Sequence, residues 1–208
     1  MTPIDRVVTS GTFSLDGGTW DVDNNVWIVG DDTEVLVVDA AHDEEAIAAA
    51  VGDRRVIAVV CTHAHDDHVN RAPALADRYS APILLNPADK PLWEMTHPDR
   101  APDRALVDGD VLTAGGVELR VLVTPGHSPG STCLYAPEIG TLLSGDTLFN
   151  GGPGATGRSF SSFDTIIGSI RERLLTLPGE TVVRTGHGDT TTIGAEAPHL
   201  EEWIARGH

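Results

Sequence analysis

The chain has 208 residues, 40% of them hydrophobic, which is too many for a disordered protein and enough for one α/β domain with a large core. Its formal charge of -17, from 31 acidic and 14 basic residues, argues against a nucleic-acid partner, since that affinity comes largely from Lys and Arg. No stretch approaches the ~20 apolar residues of a membrane span, and residues 1–6 lack the basic and apolar regions of a signal peptide. These features predict a cytoplasmic protein of one domain, residues 1–208, without a membrane partner.

Apolar runs and turn residues predict strands and helices that alternate along the chain, as in an α/β sandwich with outer helices. The predicted strands are 26–29, 34–38, 55–61, 82–85 and a pair within 111–123. The predicted helices are 43–50, 69–79, 87–95 and 163–177. Cys61 and Cys133 are too few for a disulfide framework, and the strand context of Cys61 favours a buried apolar residue over a metal ligand.

Potential metal ligands are concentrated directly after the predicted strand 55–61. Residues 62–68 read Thr-His-Ala-His-Asp-Asp-His, so three histidines and two aspartates fall within seven positions. Neutral imidazole nitrogen and carboxylate oxygen suit zinc, iron or manganese. A chance solvated cluster is the alternative interpretation of this segment taken alone.

Three further strand-like segments end in the same way. His127 lies in a turn after 118–123, Asp146 ends the run 142–145, and His187 follows 181–185, mostly with glycine alongside. Glycine lets the backbone turn tightly beside a site. A buried core histidine explains any one of these positions, but it does not easily explain four strand ends of the same design. The pattern therefore predicts one shared metal site.

This ligand pattern resembles the metallo-β-lactamase superfamily of hydrolases over residues of about 25 to 196. The resemblance implies a four-layer αββα sandwich of the α/β class, with two divalent metal ions at one edge, zinc first and iron or manganese as alternatives. It also implies the ligands. His63, His65 and His127 would hold one metal, Asp67, His68 and His187 the other, and Asp146 would bridge them.

The chemistry that the resemblance implies is hydrolysis by a hydroxide shared between the two metals. Two cations can lower the pKa of a shared water from about 15.7 to about 7 and can polarise the carbonyl under attack. Asp67 and Asp146 are the predicted catalytic residues, Asp67 because it orients the hydroxide as well as binding a metal. The family pattern omits Asp66, for which we predict a loop-stabilising role.

The resemblance is more specific within the superfamily. An aspartate at position 146 is typical of its thioesterases, lactonases, phosphodiesterases and persulfide dioxygenases, and not of the metallo-β-lactamases proper. Segments 124–131, 145–149 and 186–196 and the pair Gly157-Arg158 are similar to glyoxalase II (hydroxyacylglutathione hydrolase) and its short bacterial relatives. Only 21 residues follow His187, so we expect the glutathione-gripping helical domain of full-length glyoxalase II to be missing, and another thiol such as mycothiol becomes an option.

The resemblance thus implies a thioester hydrolase acting on a small molecule, with a thiol conjugate as the expected type. The alternatives are a lactonase with the same dinuclear site, a mononuclear-iron persulfide dioxygenase, and a metal-stabilised binding domain without activity. The sequence leaves the oligomeric state open.

The predicted substrate-binding residues lie on the loop after the bridging aspartate: Phe149, Asn150 and Arg158. Arg158 could bind a substrate carboxylate through a two-pronged contact, with a structural ion pair as the alternative. For Trp20, Trp93 and Met95, plain packing is favoured over an apolar pocket wall. The remaining histidines have no motif around them and are predicted to be surface residues: His42, His97, His199 and His208.

Overall fold

The computed structural model describes residues 3–207, which fold around two six-stranded sheets. The first sheet has its strands in chain order: β1 (Ile4–Leu15), β2 (Gly18–Gly30), β3 (Glu34–Val38), β4 (Arg55–Val60), β5 (Ile83–Leu85) and β6 (Arg104–Ala105). Strands β1 to β3 pair antiparallel, as predicted for 26–29 and 34–38, and β3 to β6 pair parallel.

The second sheet is mostly antiparallel. Its strands are β7 (Val111–Ala114), β8 (Val117–Val123), β9 (Thr132–Ala136), β10 (Thr141–Gly145), β13 (Val182–Thr185) and β14 (Thr191–Thr192), in the order β14-β13-β10-β9-β8-β7. Strands β10 and β13 run parallel. A separate small hairpin is formed by β11 (Leu148–Phe149) and β12 (Gly152–Pro153).

Helices cover the outer face of each sheet. The first sheet carries α1 (Glu44–Val51), α2 (Asp66–Val69), α3 (Ala72–Tyr79) and α4 (Lys90–Thr96). The second carries α5 (Phe163–Ser169), which continues as a π-helix (Ile170–Leu174), with α6 (Ile193–Glu196) and α7 (Leu200–Arg206). This order of layers confirms the predicted αββα sandwich. Within residues 3–207, no helix has the length and apolar character needed to cross a bilayer.

The central strands bury both faces, which is why they read as continuous apolar runs. In β3, Val35 and Val37 pack under the outer helices, whereas Leu36 and Val38 face the second sheet. The inter-sheet core is completed from the other side by residues such as Leu134 of β9. Helices and sheets therefore share one stacked core that holds the strand ends in fixed positions.

The long hairpin of β1 and β2 was not predicted before residue 26. Its alternating polar residues give a weak hydrophobic pattern, because much of this ribbon is exposed. The turn itself carries the signal that could have revealed it. Asp16 and Gly17 have φ of 53° and 78°, and Asp-Gly is a strongly preferred pair for a two-residue hairpin turn with positive φ at both positions.

The predicted helix 69–79 is wrong as a single element. The chain forms α2 first, within the histidine-rich segment, and starts again at α3 after a break at Asn70 and Arg71. Pro73 lacks the N–H that would bond to the carbonyl of Val69, so the helix cannot run through. That carbonyl instead accepts a hydrogen bond of 2.9 Å from Nε2 of His97. His97 is therefore half-buried and not the surface residue that was predicted.

Candidate metal centre

The ends of strands from both sheets meet at one edge of the sandwich. Residues 62–68 follow β4 of the first sheet, and Asp146 directly follows β10 of the second. His187 comes two residues after β13, which runs parallel to β10 with Gly145 beside Thr185. In α/β folds, the carboxyl ends of parallel strands are where ligands bind. The fold therefore places the predicted ligands around a single point.

Three buried histidines converge in what we call the three-histidine cluster, formed by His63, His65 and His127. The Nδ1 atom of His65 lies 3.1 Å from Nε2 of His63 and 3.0 Å from Nε2 of His127. Three such nitrogens are a common protein donor set for a catalytic zinc ion.

A second group, the aspartate–histidine cluster, consists of Asp67, His68 and His187. The Nε2 atoms of the two histidines are 3.1 Å apart, and they lie 3.4 and 3.3 Å from Oδ2 of Asp67. This group therefore offers two nitrogen donors and one oxygen donor to a cation.

Asp146 lies between the two clusters. Its Oδ1 is 3.4 Å from Nε2 of His68, and its Oδ2 is 3.3 Å from Nε2 of His187 and 3.6 Å from Nε2 of His127. Oδ1 is buried without a hydrogen-bond partner, as expected of an atom that serves a cation. Gly186 permits this approach, because a Cβ there would fall 2.1 Å from Oδ1. The residues thus fit two metals with Asp146 between them, and the individual ligands stay a prediction.

The second nitrogen of most of these rings is held by the surrounding protein. Oδ2 of Asp39 accepts bonds from His68 Nδ1 at 3.0 Å and from the hydroxyl of Thr62 at 2.7 Å. Two further rings contact backbone carbonyls. Nδ1 of His127 lies 2.8 Å from the carbonyl oxygen of Ala155, and Nδ1 of His187 lies 2.8 Å from that of Asp23. Such contacts fix the ring orientation and keep Nε2 available to a metal.

Asn24 and His42 form hydrogen bonds that support the aspartate–histidine cluster, a role that the sequence did not predict. Asn24 donates to Oδ2 of Asp67 at 3.0 Å, and its own oxygen lies 2.9 Å from Nε2 of His42. Asn70 fixes the other side of the His42 ring at 3.0 Å. His42 is half-buried, so the prediction of a surface residue was wrong. His199 is exposed as predicted, and His208 lies outside the described residues.

Two residues beside the ligands have structural contacts. Oδ1 of Asp66 accepts a 3.0 Å bond from the backbone N–H of Ser14, which ties the β1–β2 hairpin to the ligand loop and fits the predicted loop-stabilising role. Cys61 is fully buried in the core under the outer helices, where burial raises the pKa of its thiol well above the usual range. Its place in the core agrees with the prediction of a buried apolar residue.

A cavity of about 230 Å³ opens directly onto both clusters. Beyond the predicted ligands, its wall is built from the hairpin and from the loop after β12: Phe13, Trp20, Val22, Ala155, Arg158, Ser159 and Ser161. The guanidinium of Arg158 lies 3.8 Å from the centre of the Trp20 ring. Arg158 forms no direct ion pair among residues 3–207. Hydrogen bonds from Ser159, and to a smaller extent the charge of Arg158, lower the pKa of Asp16, so Arg158 has a weak electrostatic contact with the hairpin turn.

The other predicted wall residues lie elsewhere. Phe149 is 6.2 Å from the ring of His187 but does not line the cavity, and Asn150 is exposed, with its amide donating to the carbonyl of Thr190 at 3.3 Å. Trp93 is a buried residue of α4, Met95 on the same helix is 61% exposed, and neither lines the cavity. The packing interpretation holds for Trp93 and is wrong for Met95, which is exposed, and for Trp20, which is part of the cavity wall.

The two clusters differ in the pKa values of their histidines. Burial lowers the pKa of His65 to about 3, and burial also lowers the pKa of His63 well below its usual range. Burial opposes protonation of His187 too, but Asp146 and Asp67 outweigh it and raise the pKa of His187 to about 10. The same carboxylates raise the pKa of His68 well above its usual range, against the effect of burial. Without metal, the aspartate–histidine cluster therefore holds a proton more readily than His63 and His65 do.

We therefore expect acid to release metal from the aspartate–histidine cluster first. Below a pKa of about 10 for His187, a metal must displace a proton, so its affinity falls by at least about tenfold for each pH unit. Zinc affinity can be measured by chelator competition at pH 6, 7 and 8 in His127→Ala, which damages the three-histidine cluster. The matched variant His187→Ala keeps that cluster and should show a shallower dependence. Equal slopes in the two variants would contradict this expectation.

Comparisons with known proteins agree with this geometry. The family model of the metallo-beta-lactamase superfamily matches residues 19–187. The chain is 31% identical over 182 residues to hydroxyacylglutathione hydrolase GloC of Haemophilus influenzae, covering 80% of this chain and 85% of GloC. It is 32% identical over 183 residues to the probable metallo-hydrolase YqgX of Bacillus subtilis, covering 79% of this chain and 85% of YqgX.

Solved structures show the same relationship. The BLEG-1 B3 metallo-beta-lactamase superposes with a TM-score of 0.77 at 29% identity, covering 92% of this chain and 98% of BLEG-1. TTHA1623, solved in a di-iron-bound form, superposes with a TM-score of 0.76 at 32% identity, covering 85% of this chain and 93% of TTHA1623. The family match over most of the chain, the αββα layers and the two ligand clusters lead to one conclusion: the chain belongs to the metallo-beta-lactamase superfamily and is a metallo-hydrolase of that superfamily.

Proposed function

We propose that the protein hydrolyses thioesters of small acids at a dinuclear metal centre, with zinc the preferred metal. The observation that carries this proposal is the cavity over the two clusters. Its wall offers aromatic surface and a guanidinium, but the described lining has no tyrosine, glutamate or lysine to protonate a leaving group. Such a site suits a substrate whose leaving group departs without a proton.

A thiolate meets that requirement. The pKa of a thiol is about 8.5, so a thiolate is stable near neutral pH and leaves as the anion. The alkoxide released from a lactone is far more basic and needs a general acid. Tyr135, the tyrosine nearest to His127 in sequence, packs in the core beneath α5 and does not reach the cavity.

The chain's own residues divide the work. Asp67 and Asp146 lie at the cavity floor and would orient the attacking water as well as hold cations. Two bound cations would lower the pKa of a shared water and polarise the thioester carbonyl. Asn24 fixes the carboxylate of Asp67, and Asp39 fixes the ring of His68, so these groups are already in place before the substrate arrives.

The upper wall would hold the substrate. At about 230 Å³ the cavity is smaller than the ~300–1,000 Å³ of typical ligand pockets, so we infer that it takes the acyl group and that the thiol carrier extends outward. Arg158 is exposed at this exit, stacks on Trp20 and forms no direct ion pair among the described residues, so its guanidinium would bind a carboxylate of the thiol carrier. We also place the reaction in the cytoplasm, where low-molecular-weight thiols are reduced and the two free cysteines persist.

A panel of substrates on one metal-loaded preparation tests the substrate class. We expect kcat/KM for an S-lactoyl thioester to exceed that for a homoserine lactone by roughly 100-fold or more, the usual contribution of the general acid that the cavity lacks. A penicillin belongs in the same panel because of the similarity to BLEG-1. A lactone or penicillin cleaved as fast as the thioester would overturn the assignment.

The variant Arg158→Ala tests the contact with the thiol carrier. We expect KM to rise by about tenfold or more for a thioester whose thiol bears a carboxylate, the size of one charge-assisted hydrogen bond, with little change in kcat. The acyl thioester of N-acetylcysteamine, which has no carboxylate, should be unaffected. Arg171→Ala removes an exposed arginine that does not line the cavity and is the matched control. Equal effects on both thioesters would assign Arg158 to packing against Trp20.

A further inference from the structure

A buried carboxylate that the proposed chemistry does not use lies beside the three-histidine cluster. Asp89 is the last residue of a 3-10 turn (Pro87–Asp89), directly precedes α4 and has no exposed surface. Its Oδ2 accepts the backbone N–H of Ala64 at 2.9 Å and the hydroxyl of Ser128 at 2.7 Å, and its Oδ1 accepts the backbone N–H of Gly130. Asp89 thereby connects three points on two loops.

These contacts lie beside one metal cluster. Ala64 stands between His63 and His65, and Ser128 directly follows His127, so two of the three positions held by Asp89 adjoin the histidines of that cluster. Asp67 and His68 are on the loop of Ala64 too, but three and four residues beyond it. Asp89 has no hydrogen bond to any side chain of the aspartate–histidine cluster among the described residues. Burying a carboxylate costs folding free energy unless the carboxylate is fully hydrogen-bonded. The charge of Asp89 therefore needs all three donors, and the donors in turn need the carboxylate as their acceptor.

Gly130 adds a steric argument. Its φ lies outside the left-handed region, so backbone freedom does not explain a glycine there. A Cβ at this position would fall 2.9 Å from Cγ and Oδ1 of Asp89. The absence of a side chain at position 130 lets the loop of His127 lie against this carboxylate.

We propose that Asp89 is a positioning residue that sets the spacing of the three-histidine cluster and thereby the metal affinity of that cluster alone. The proposal rests on the metal-binding role of the clusters and not on the identity of the substrate. The substitution Asp89→Asn would place an NH₂ group against one of the two backbone N–H donors, which breaks one hydrogen bond of the connection and removes the charge.

Cobalt(II) binding to the full chain tests the proposal without any assay of activity. In His187→Ala, which retains the three-histidine cluster, we expect Asp89→Asn to weaken cobalt affinity by about 10- to 100-fold, the usual cost of losing an outer-shell partner. In His127→Ala, which retains the other cluster, the same substitution should change affinity by less than threefold. The control Asp99→Asn makes the same chemical change at an exposed residue. Equal losses in both backgrounds, or none, would overturn the proposal.

Two milder variants cover the case in which Asp89→Asn does not fold, which circular dichroism would reveal. Ser128→Ala removes one of the three donors, and Gly130→Ala pushes the loop away from Asp89. Each should weaken cobalt binding in the His187→Ala background and not in the His127→Ala background. Gly168→Ala is the control for the glycine, because a Cβ there meets nothing within 4 Å. If neither variant weakens binding to the three-histidine cluster, Asp89 only stabilises the fold.

Discussion

Asp146→Ala should abolish thioester hydrolysis while the αββα fold persists. The substitution removes the carboxylate that lies between the two clusters, with oxygens 3.4 Å from His68 and 3.6 Å from His127. Loss of an outer-shell partner commonly costs about 10- to 100-fold in activity, and loss of the shared carboxylate should exceed that range. The decrease should appear in kcat, measured at equal metal content per chain.

Asp53→Ala is the matched control, since Asp53 is exposed and neither belongs to a ligand loop nor lines the cavity. Asp67→Ala should be nearly as severe, because Asp67 lies within 3.4 Å of both histidines of its cluster and at the cavity floor. Circular dichroism of each variant checks that the fold is retained. Near-normal turnover of Asp146→Ala at unchanged metal content would mean that the proposed roles of the two aspartates are wrong.

Removal of metal should have an effect of similar size. Prolonged chelation should reduce hydrolysis to background, and two equivalents of zinc per chain should restore it, because the donor set forms two complete clusters. Elemental analysis of protein purified without chelator or added metal gives the native stoichiometry, for which we expect two metals, zinc rather than iron.

Iron deserves direct comparison, since TTHA1623 was solved in a di-iron-bound form. Reconstitution with iron(II) followed by oxygen-electrode measurements distinguishes the alternatives. A content that stays near one iron per chain, with oxygen uptake in the presence of a persulfide, would replace the hydrolase by the dioxygenase. Copper or cobalt loading has no bearing on that distinction.

The sequence predicted the parts of the fold whose residues are buried on both sides. Strands β3, β4 and β10 are continuous apolar runs, and their ends carry Asp39, residues 62–68 and Asp146. A buried strand specifies where its last residue emerges, so ligand-type side chains at several strand ends could be grouped before any coordinates were known. Asp39 also follows directly after a buried strand, β3. No histidine stands beside it in the sequence, so the sequence pattern alone does not mark it as part of the site.

Other features left no comparable pattern. Asp89 acts through backbone N–H groups 25 and 41 positions away, and backbone donors carry no residue signature. Phe13 and Val22 reach the cavity from an exposed ribbon in which polar residues alternate. The loop after β12 brings Arg158 to the cavity, whereas Asn150 lies in the turn between β11 and β12, outside the cavity lining. Sequence proximity to Asp146 could not separate these two residues.

The β1–β2 hairpin separates two tasks that many enzymes combine in the same segment. The stacked sheets supply the predicted metal ligands, whereas the outer part of the hairpin, with Phe13, Trp20 and Val22, supplies much of the cavity wall. In the hairpin turn, the carboxylate of Asp16 accepts a hydrogen bond from the backbone N–H of Ser159 on the loop after β12. This bond joins the two segments that form the cavity wall. Substitutions or length changes in this ribbon can therefore alter which molecules are accepted while the reactive groups stay untouched. One scaffold can in this way diversify into enzymes with different substrates and a common reaction centre.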